Sequence, residues 1–309
     1  MKSEEIFTGE RFVPGIHDRK LEIEHYQRYL SVRKLAEGKC VLDAACGEGY
    51  GSNILAETAR EVIAVDIDKD AVSRARKLYE GKGNLSFRVG SIEKLDLPDH
   101  SIDVVVSFET IEHVYEEIQN KFLAEIDRVL KTNGILIIST PNKAVYSDMH
   151  NYKNEFHMKE FYHDEFVSFL RKKFQYVQLY NQAFRVLSVI DSCDRSDEII
   201  DYYSREQKYN DEGKYYIAIA SHEKLNKLPF ASLYVDNLNE YDENISRILT
   251  LQKEEESRNA HIKHLNAELE NQKTIINNLQ EDNEARNQHI KKLDSELEKR
   301  GNTIRRLQK

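Results

Sequence analysis

The segment Val41 to Gly51, VLDAACGEGYG, limits the fold more than any other part of this 309-residue chain. Cys40 to Ala44 is an apolar run of strand length. Ala45, Gly47, Gly49 and Gly51 then put small residues at alternate positions before a helical stretch begins. Backbone with little side chain lets a ligand approach closely, and the start of the helix presents N–H groups to a polar group. A dinucleotide site would carry GxGxxG here, with a pyrophosphate over the helix. Asp43, at the strand end, is unfavourable beside a pyrophosphate and suits a ligand with an ammonium group.

From Lys39 to about Ala220, short apolar runs alternate with helical stretches, the pattern of a parallel sheet with crossover helices. Strands are expected at Cys40 to Ala44, Val62 to Asp66, Leu85 to Val89, Ile102 to Phe108, Ile135 to Thr140, Tyr176 to Tyr180 and Tyr215 to Ala220. Helices are expected near Gly51 to Thr58, Lys69 to Glu80, Gln119 to Leu130 and Asp164 to Lys173. The fold class is therefore a doubly wound, Rossmann-like α/β domain. Its seven strands are six parallel and one antiparallel. Residues 1–38, with the run His25, Tyr26, Arg28, Tyr29, read as a helical lid; 39–222 form the domain, 223–240 a linker and 241–309 a long helix.

That helix holds one heptad register. Ile262, Leu269, Ile276, Asn283, Ile290, Leu297 and Ile304 occupy a positions, and Leu265, Gln272, Leu279, Arg286, Leu293, Arg300 and Leu307 occupy d positions. RNAHIKHLNAELE from Arg258 returns as RNQHIKKLDSELE from Arg286, four heptads later. A helix this polar needs a partner to bury its apolar seam, so a coiled coil and a homo-oligomer are expected. The pattern is still running at Lys309, as a truncated piece of a longer chain would show.

Composition excludes several classes. A net charge of -9 argues against coating nucleic acid, which needs a clustered Lys/Arg surplus. The three cysteines, Cys40, Cys46 and Cys193, form no CxxC and indicate neither a disulfide framework nor a zinc site. His150, His157 and His163 match no zinc spacing, so no metal is expected. No segment approaches the roughly 20 apolar residues that cross a bilayer, and MKSEEIFTGE lacks a signal sequence's apolar region. The reading is cytoplasmic, or at the inner face of the membrane through a partner.

Further motifs follow at consistent intervals: VIAVDID, with Asp66 and Ile67; FRVGSIEKL, with Ser91 and Ile92; DVVVSFETIEHV, with Phe108, Glu109, Thr110 and His113; and LKTNGILIISTPN. Together with VLDAACGEGYG they resemble the motifs of class I S-adenosylmethionine-dependent methyltransferases over roughly residues 20 to 220. The resemblance implies that Asp43, Ala45, Gly47 and Gly49 cradle the methionine part of the cofactor. Ala45 stands where that family most often has Gly. Asp66 would accept the ribose hydroxyls, as a carboxylate can take two hydrogen bonds. Ser91 and Ile92 would meet the adenine, although many relatives have Asp at the Ser91 position, and Phe108 would lie near the methyl-transfer centre. The pairing of SFETIEHV with ISTPN is most similar to ubiquinone-type O-methyltransferases and methyltransferases of cell-surface glycans. By that likeness Arg28 would hold the cofactor carboxylate, bidentately as a guanidinium can.

Methyl transfer from a sulfonium is an in-line displacement, and an alcohol acceptor must also lose a proton. His113 and His157 are the candidate general bases, with Glu109 orienting a histidine or the acceptor. Tyr146, His150, Tyr152, Phe156 and Phe161 would offer an aromatic surface to a sugar face or planar ring. The N-terminal run TGERFVPG and LEIEHYQRY resemble methyltransferases of bacterial surface-polysaccharide clusters, often joined by a coiled coil to glycosyltransferase domains. The expected function is O-methylation of a surface-glycan hydroxyl that ends chain growth, with a glycosyltransferase as partner or fused domain. Two alternatives stand beside it: a small-molecule methyltransferase acting on a quinone or nucleotide sugar, and a non-catalytic scaffold.

Overall fold

A computed structural model of the chain describes residues 12–14, 19–184, 213–225, 230–232, 234 and 240–307. Cys193 and most of TGERFVPG lie outside them. The chain divides into two units, Met1–Val235 and Asp236–Lys309.

The first unit opens with helix α1 (Arg19–Ala36) and continues as β1 (Cys40–Ala44), α2 (Tyr50–Leu55), β2 (Glu61–Asp66), α3 (Lys69–Leu78), β3 (Leu85–Val89) and β4 (Ile102–Ser107). Then come α4 (Glu116–Val129), β5 (Leu130–Pro141), α5 (His163–Leu170), β6 (Tyr176–Gln182) and β7 (Tyr215–Ser221). The strands form one sheet in the order β3-β2-β1-β4-β5-β7-β6. β7 runs antiparallel to both β5 and β6, and the other pairings are parallel. The expected sheet of six parallel strands and one antiparallel strand is what forms.

Central strands are apolar throughout because helices cover both faces of the sheet. All five residues of β1 are buried, including Asp43. One face packs Leu42, Val105 and Leu136 against Phe122, Ile126 and Phe166; the other packs Val41, Val104 and Ile137 with Tyr29, Val32 and Leu55. Most elements end within three residues of expectation, and two starts have a clear physical reason or consequence. α4 starts at Glu116, three residues early, because Glu116 and Glu117 in its first turn suit the positive end of the helix. β5 starts at Leu130, which pairs with Ile102 across an irregularity in the register.

The sheet reverses its strand order between β1 and β4, and the loops leaving the carboxyl ends of these strands open at this switch point, where ligands bind in open α/β sheets. α1 lies against α2 there. A Cβ built on Gly51 would sit 2.0 Å from the Tyr29 ring, so glycine is what lets α1 seat. Phe12, His25 and Tyr26 add to the contact by ring packing around Tyr50.

The second unit is described as helix α6 (Glu240–Leu307), 68 residues long. At 1.5 Å per residue this is about 100 Å. Leu265, Leu269, Ile276, Leu279, Ile290, Leu293 and Leu297 of the expected seam are exposed on the single chain. No helix among the described residues is long and apolar enough to cross a membrane.

Gly51→Ala should force Tyr29 and α1 outward. The expected loss is about 1–3 kcal/mol, typical of overpacking, read from denaturant unfolding of the full chain.

Candidate functional site

The loop after β1 is built around a left-handed backbone. Ala45 has φ 65° and Gly49 φ 78°. Ala45 N and Cys46 N both donate to the carbonyl of Val65, at 2.8 and 3.0 Å, tying this loop to the end of β2. A Cβ on Gly49 would lie 2.5 Å from the Phe87 ring. Left-handed φ costs a non-glycine residue roughly 1–2 kcal/mol, so Ala45 is held there by these bonds.

Asp66 completes the junction. Its carboxylate accepts Gly47 N at 2.8 Å and Asp68 N at 2.9 Å, one on each oxygen. A carboxylate has about four acceptor positions, so one carboxylate can serve backbone N–H groups and ligand hydroxyls together. Next to it the Ile67 side chain is 73% exposed, an apolar surface beside an acid. Ser91 and Ile92 follow β3, where the Ser91 hydroxyl accepts Glu93 N at 3.2 Å. Asp43, at the end of β1, is fully buried and accepts Ser52 Oγ at 2.6 Å and Tyr29 Oη at 3.3 Å. Burial pushes its carboxyl up to about 7, against the lowering effect of these two hydrogen bonds. Tyr29 also packs edge-on against Phe108, ring centroids 5.0 Å apart.

Beyond β4 the chain turns sharply. Glu109 has φ 49° and is held by Ser139 of β5: Glu109 N donates to Ser139 Oγ at 3.1 Å, and Ser139 Oγ donates to Glu109 Oε1 at 2.6 Å. Glu112 is buried one turn later, with Thr140 Oγ1 donating to its Oε2 at 3.3 Å. Burial, then the charge of Glu109, holds the Glu112 carboxyl well above the usual carboxylate range.

The segment after β5 folds back onto this turn, since Met158 N and Lys159 N both donate to the carbonyl of Glu112. It brings His157 to His113, edge to face at 4.9 Å. His113 Nδ1 donates to the carbonyl of Phe156 at 3.2 Å. His157 Nδ1 donates to Glu160 Oε1 at 2.5 Å, Asn154 Nδ2 donates to His157 Nε2 at 2.9 Å, and Tyr146 stacks on the ring. Ser147 donates to the other Glu160 oxygen; burial raises the Glu160 carboxyl, and the bonds from His157 and Ser147 lower it on balance.

Arg28 comes in from α1 and is enclosed, only 1% exposed. Nε donates to Gln182 Oε1 at 2.7 Å, Nη1 lies 3.4 Å from Glu109 Oε1, and the Tyr215 ring packs 4.3 Å from the guanidinium carbon. Burial opposes the charge, but Glu109, Tyr215 and Glu24 raise the Arg28 pKa overall.

The structure thus brings Asp43, Ala45, Gly47, Gly49 and Asp66 to one junction, and Glu109, His113 and His157 to the neighbouring turn, with Arg28 reaching Glu109. Glu109 meets Ser139 and Arg28 here, while the histidines are oriented by Phe156, Glu160 and Asn154. The expected aromatic surface divides. Phe161 lies in the core against Phe166 and Phe169, because its strand-like bridge to Asn142 turns it inward. Tyr152 stays half-exposed. Glu112, Glu160, Ser139, Gln182 and Tyr215 were not singled out from sequence. Glu160 had a signal, three residues after His157; Gln182 and Tyr215 had none near Arg28.

The set His150, His157, His163 does not come together as a cluster; Glu112, His113 and His157 do, with potential ligand atoms within 4.8 Å of one another. Ligands on one tetrahedral zinc lie about 3.4 Å apart. Both ring nitrogens of His157 already have hydrogen bonds, so this set would have to rearrange to hold an ion.

Comparison with known proteins gives the family. A family described as a methyltransferase domain matches residues 35–299. A Mycobacterium tuberculosis protein described as a probable S-adenosylmethionine-dependent methyltransferase is 40% identical over 170 residues, 53% of this chain and 58% of that one. A ubiquinone biosynthesis O-methyltransferase of Bradyrhizobium diazoefficiens is 33% identical over 108 residues, 34% of this chain and 41% of that one. The aligned part thus spans little more than half the length of the mycobacterial relative. A chain from the complex of the Haloferax volcanii Trm112 methyltransferase activator with a methyltransferase shares the fold, at TM-score 0.51 and 22% identity, over 68% of this chain and 94% of that one.

S-adenosylmethionine suits the groups present: glycine backbone, a carboxylate of the kind that accepts from a diol, a buried acid for an ammonium, and a buried guanidinium whose Nη1 and Nη2 have no hydrogen-bond acceptor among the described residues. Asp43 must be ionised to hold an ammonium, and its pKa stands near 7. Affinity for S-adenosylhomocysteine should therefore fall as pH drops below about 7, approaching tenfold per pH unit, and level off above it. Titration calorimetry across pH 5.5–8.5 checks this, and Asp43→Asn should weaken binding and flatten the profile.

Proposed function

This chain belongs to the family of methyltransferase domains, and from that membership we propose that it moves a methyl group from S-adenosylmethionine to an oxygen atom of its acceptor. The observation that carries the choice of oxygen is the meeting of His113 and His157 at the turn after β4. S-adenosylmethionine supplies a sulfonium-bound methyl group for in-line displacement. The protein binds, aligns and deprotonates. Backbone at Ala45, Gly47 and Gly49 receives the methionine part, Asp43 its ammonium and Arg28 its carboxylate. Asp66 takes the ribose, and Ile67, Ser91 and Ile92 border the adenine. His113 is assigned as the base: its Nδ1–H is committed to the Phe156 carbonyl, which puts the basic lone pair on Nε2. His157, clamped by Glu160 and Asn154 and stacked on Tyr146, shapes the acceptor's place.

For the acceptor, the reading is a sugar hydroxyl of a bacterial surface glycan. Support comes from half-exposed Tyr152, a ring surface of the kind that packs on a pyranose, and from the seam of α6, which suits self-association into a coiled coil. In that setting the enzyme is a cytoplasmic homo-oligomer that ends glycan growth beside a glycosyltransferase, with α6 as a spacer. A planar phenol is the second reading, favoured by the likeness to ubiquinone biosynthesis O-methyltransferases.

An acceptor screen with full-length protein and labelled S-adenosylmethionine tests both. Label on a free hydroxyl of an oligosaccharide supports the first reading, label on a catechol the second, and label on nitrogen contradicts both. With the acceptor found, His113→Ala should lower kcat about 100- to 10,000-fold while the Kd for S-adenosylhomocysteine stays unchanged.

A further inference from the structure

Among the described residues, Arg28 is hydrogen-bonded at one end only. Its Nε donates to Gln182, and Gln182 is itself fixed through Nε2, which donates to the Glu24 carbonyl at 2.9 Å and to Gln27 Oε1 at 3.1 Å. Tyr215 covers the guanidinium. These contacts set the plane and direction of the fork, so Gln182 and Tyr215 position it. Nη1 and Nη2 are buried, with no hydrogen-bond acceptor among the described residues. The approaching anion is Glu109, whose Oε1 is 3.4 Å from Nη1 but is already bonded by Ser139 Oγ at 2.6 Å. Glu109 thus neutralises Arg28 through space without satisfying its fork. It does so from a left-handed backbone, φ 49°, that a side chain rarely adopts.

We propose that Arg28 is a shared counter-ion, with Glu109 as an internal competitor for the carboxylate of the cofactor. The inference rests on the reading that Arg28 holds that carboxylate. A carboxylate that reaches Nη1 and Nη2 side by side makes two charge-assisted bonds, stronger than the pairing at 3.4 Å. It takes over neutralisation of the guanidinium and relieves Glu109 of that role. Glu109, still anchored to Ser139 at the end of β5, is then available to accept a hydrogen bond from the acceptor hydroxyl. Cofactor binding thereby prepares the acceptor site, and cofactor should bind before acceptor.

The test is calorimetry of two ligands on the full chain: S-adenosylhomocysteine, and 5'-methylthioadenosine, which lacks the amino-acid carboxylate. Glu109→Gln removes the competitor and should tighten S-adenosylhomocysteine about five- to tenfold, leaving 5'-methylthioadenosine unchanged. Unchanged or weaker S-adenosylhomocysteine binding by Glu109→Gln overturns the competition. Gln182→Met is the second variant, in case Glu109→Gln does not fold. It frees the guanidinium to turn away and should weaken S-adenosylhomocysteine several-fold with no effect on 5'-methylthioadenosine; equal effects on both ligands overturn the positioning role. Arg28→Gln separates the underlying reading. If it leaves the preference for S-adenosylhomocysteine over 5'-methylthioadenosine intact, Arg28 does not hold the carboxylate and the premise itself fails.

Discussion

The carboxylate of Asp66 holds the site together. By accepting Gly47 N and Asp68 N it fastens the loops leaving β1 and β2 to each other. The same junction is closed from the other side by Ala45 N and Cys46 N on the Val65 carbonyl. Four backbone N–H groups at the carboxyl ends of two parallel strands are thereby satisfied. Parallel strands supply the rigidity, since β1 pairs with β2 and β4 along its length and is buried throughout. Small residues then let neighbouring rings close against the loop, Phe87 on Gly49 and Tyr29 on Gly51, at the place where the strand order reverses.

Around this junction the protein keeps a set of buried charges. Asp43, Arg28, Glu109 and Glu112 are enclosed or nearly so, and enclosing a charge is unfavourable unless it is paired or hydrogen-bonded. The structure responds differently at each. Asp43 and Glu112 both shift toward their neutral forms, whereas Arg28 keeps its charge beside Glu109. The proposed zwitterionic ligand would answer both demands, bringing an ammonium to Asp43 and a carboxylate to the fork of Arg28.

The fold was legible because it is written locally. Apolar runs mark every strand within a few residues, and VLDAACGEGYG and VIAVDID contain the residues that meet at the junction. Ala45 illustrates a finer point: its departure from glycine was visible in sequence, and its φ of 65° explains why glycine is the common choice there. The acceptor side was half legible. His113 and His157 can be named from their places after β4 and β5, but of their partners only Glu160, three residues after His157, lies within local reach. Phe161, expected on an aromatic surface, turns inward. Gln182 is 154 residues from Arg28, and that pairing exists only because β6 and β7 return to the sheet beside β5. Such contacts depend on topology, so local sequence carries no trace of them.

The central claim is that the junction of β1 and β2 holds S-adenosylmethionine with its ribose on Asp66. A crystal structure of the full chain grown with S-adenosylhomocysteine tests this most directly. The account predicts both ribose hydroxyls within about 2.6–3.2 Å of the Asp66 carboxylate, with the amino-acid end directed toward Asp43 and Arg28. A ligand bound with its ribose away from Asp66 would contradict it.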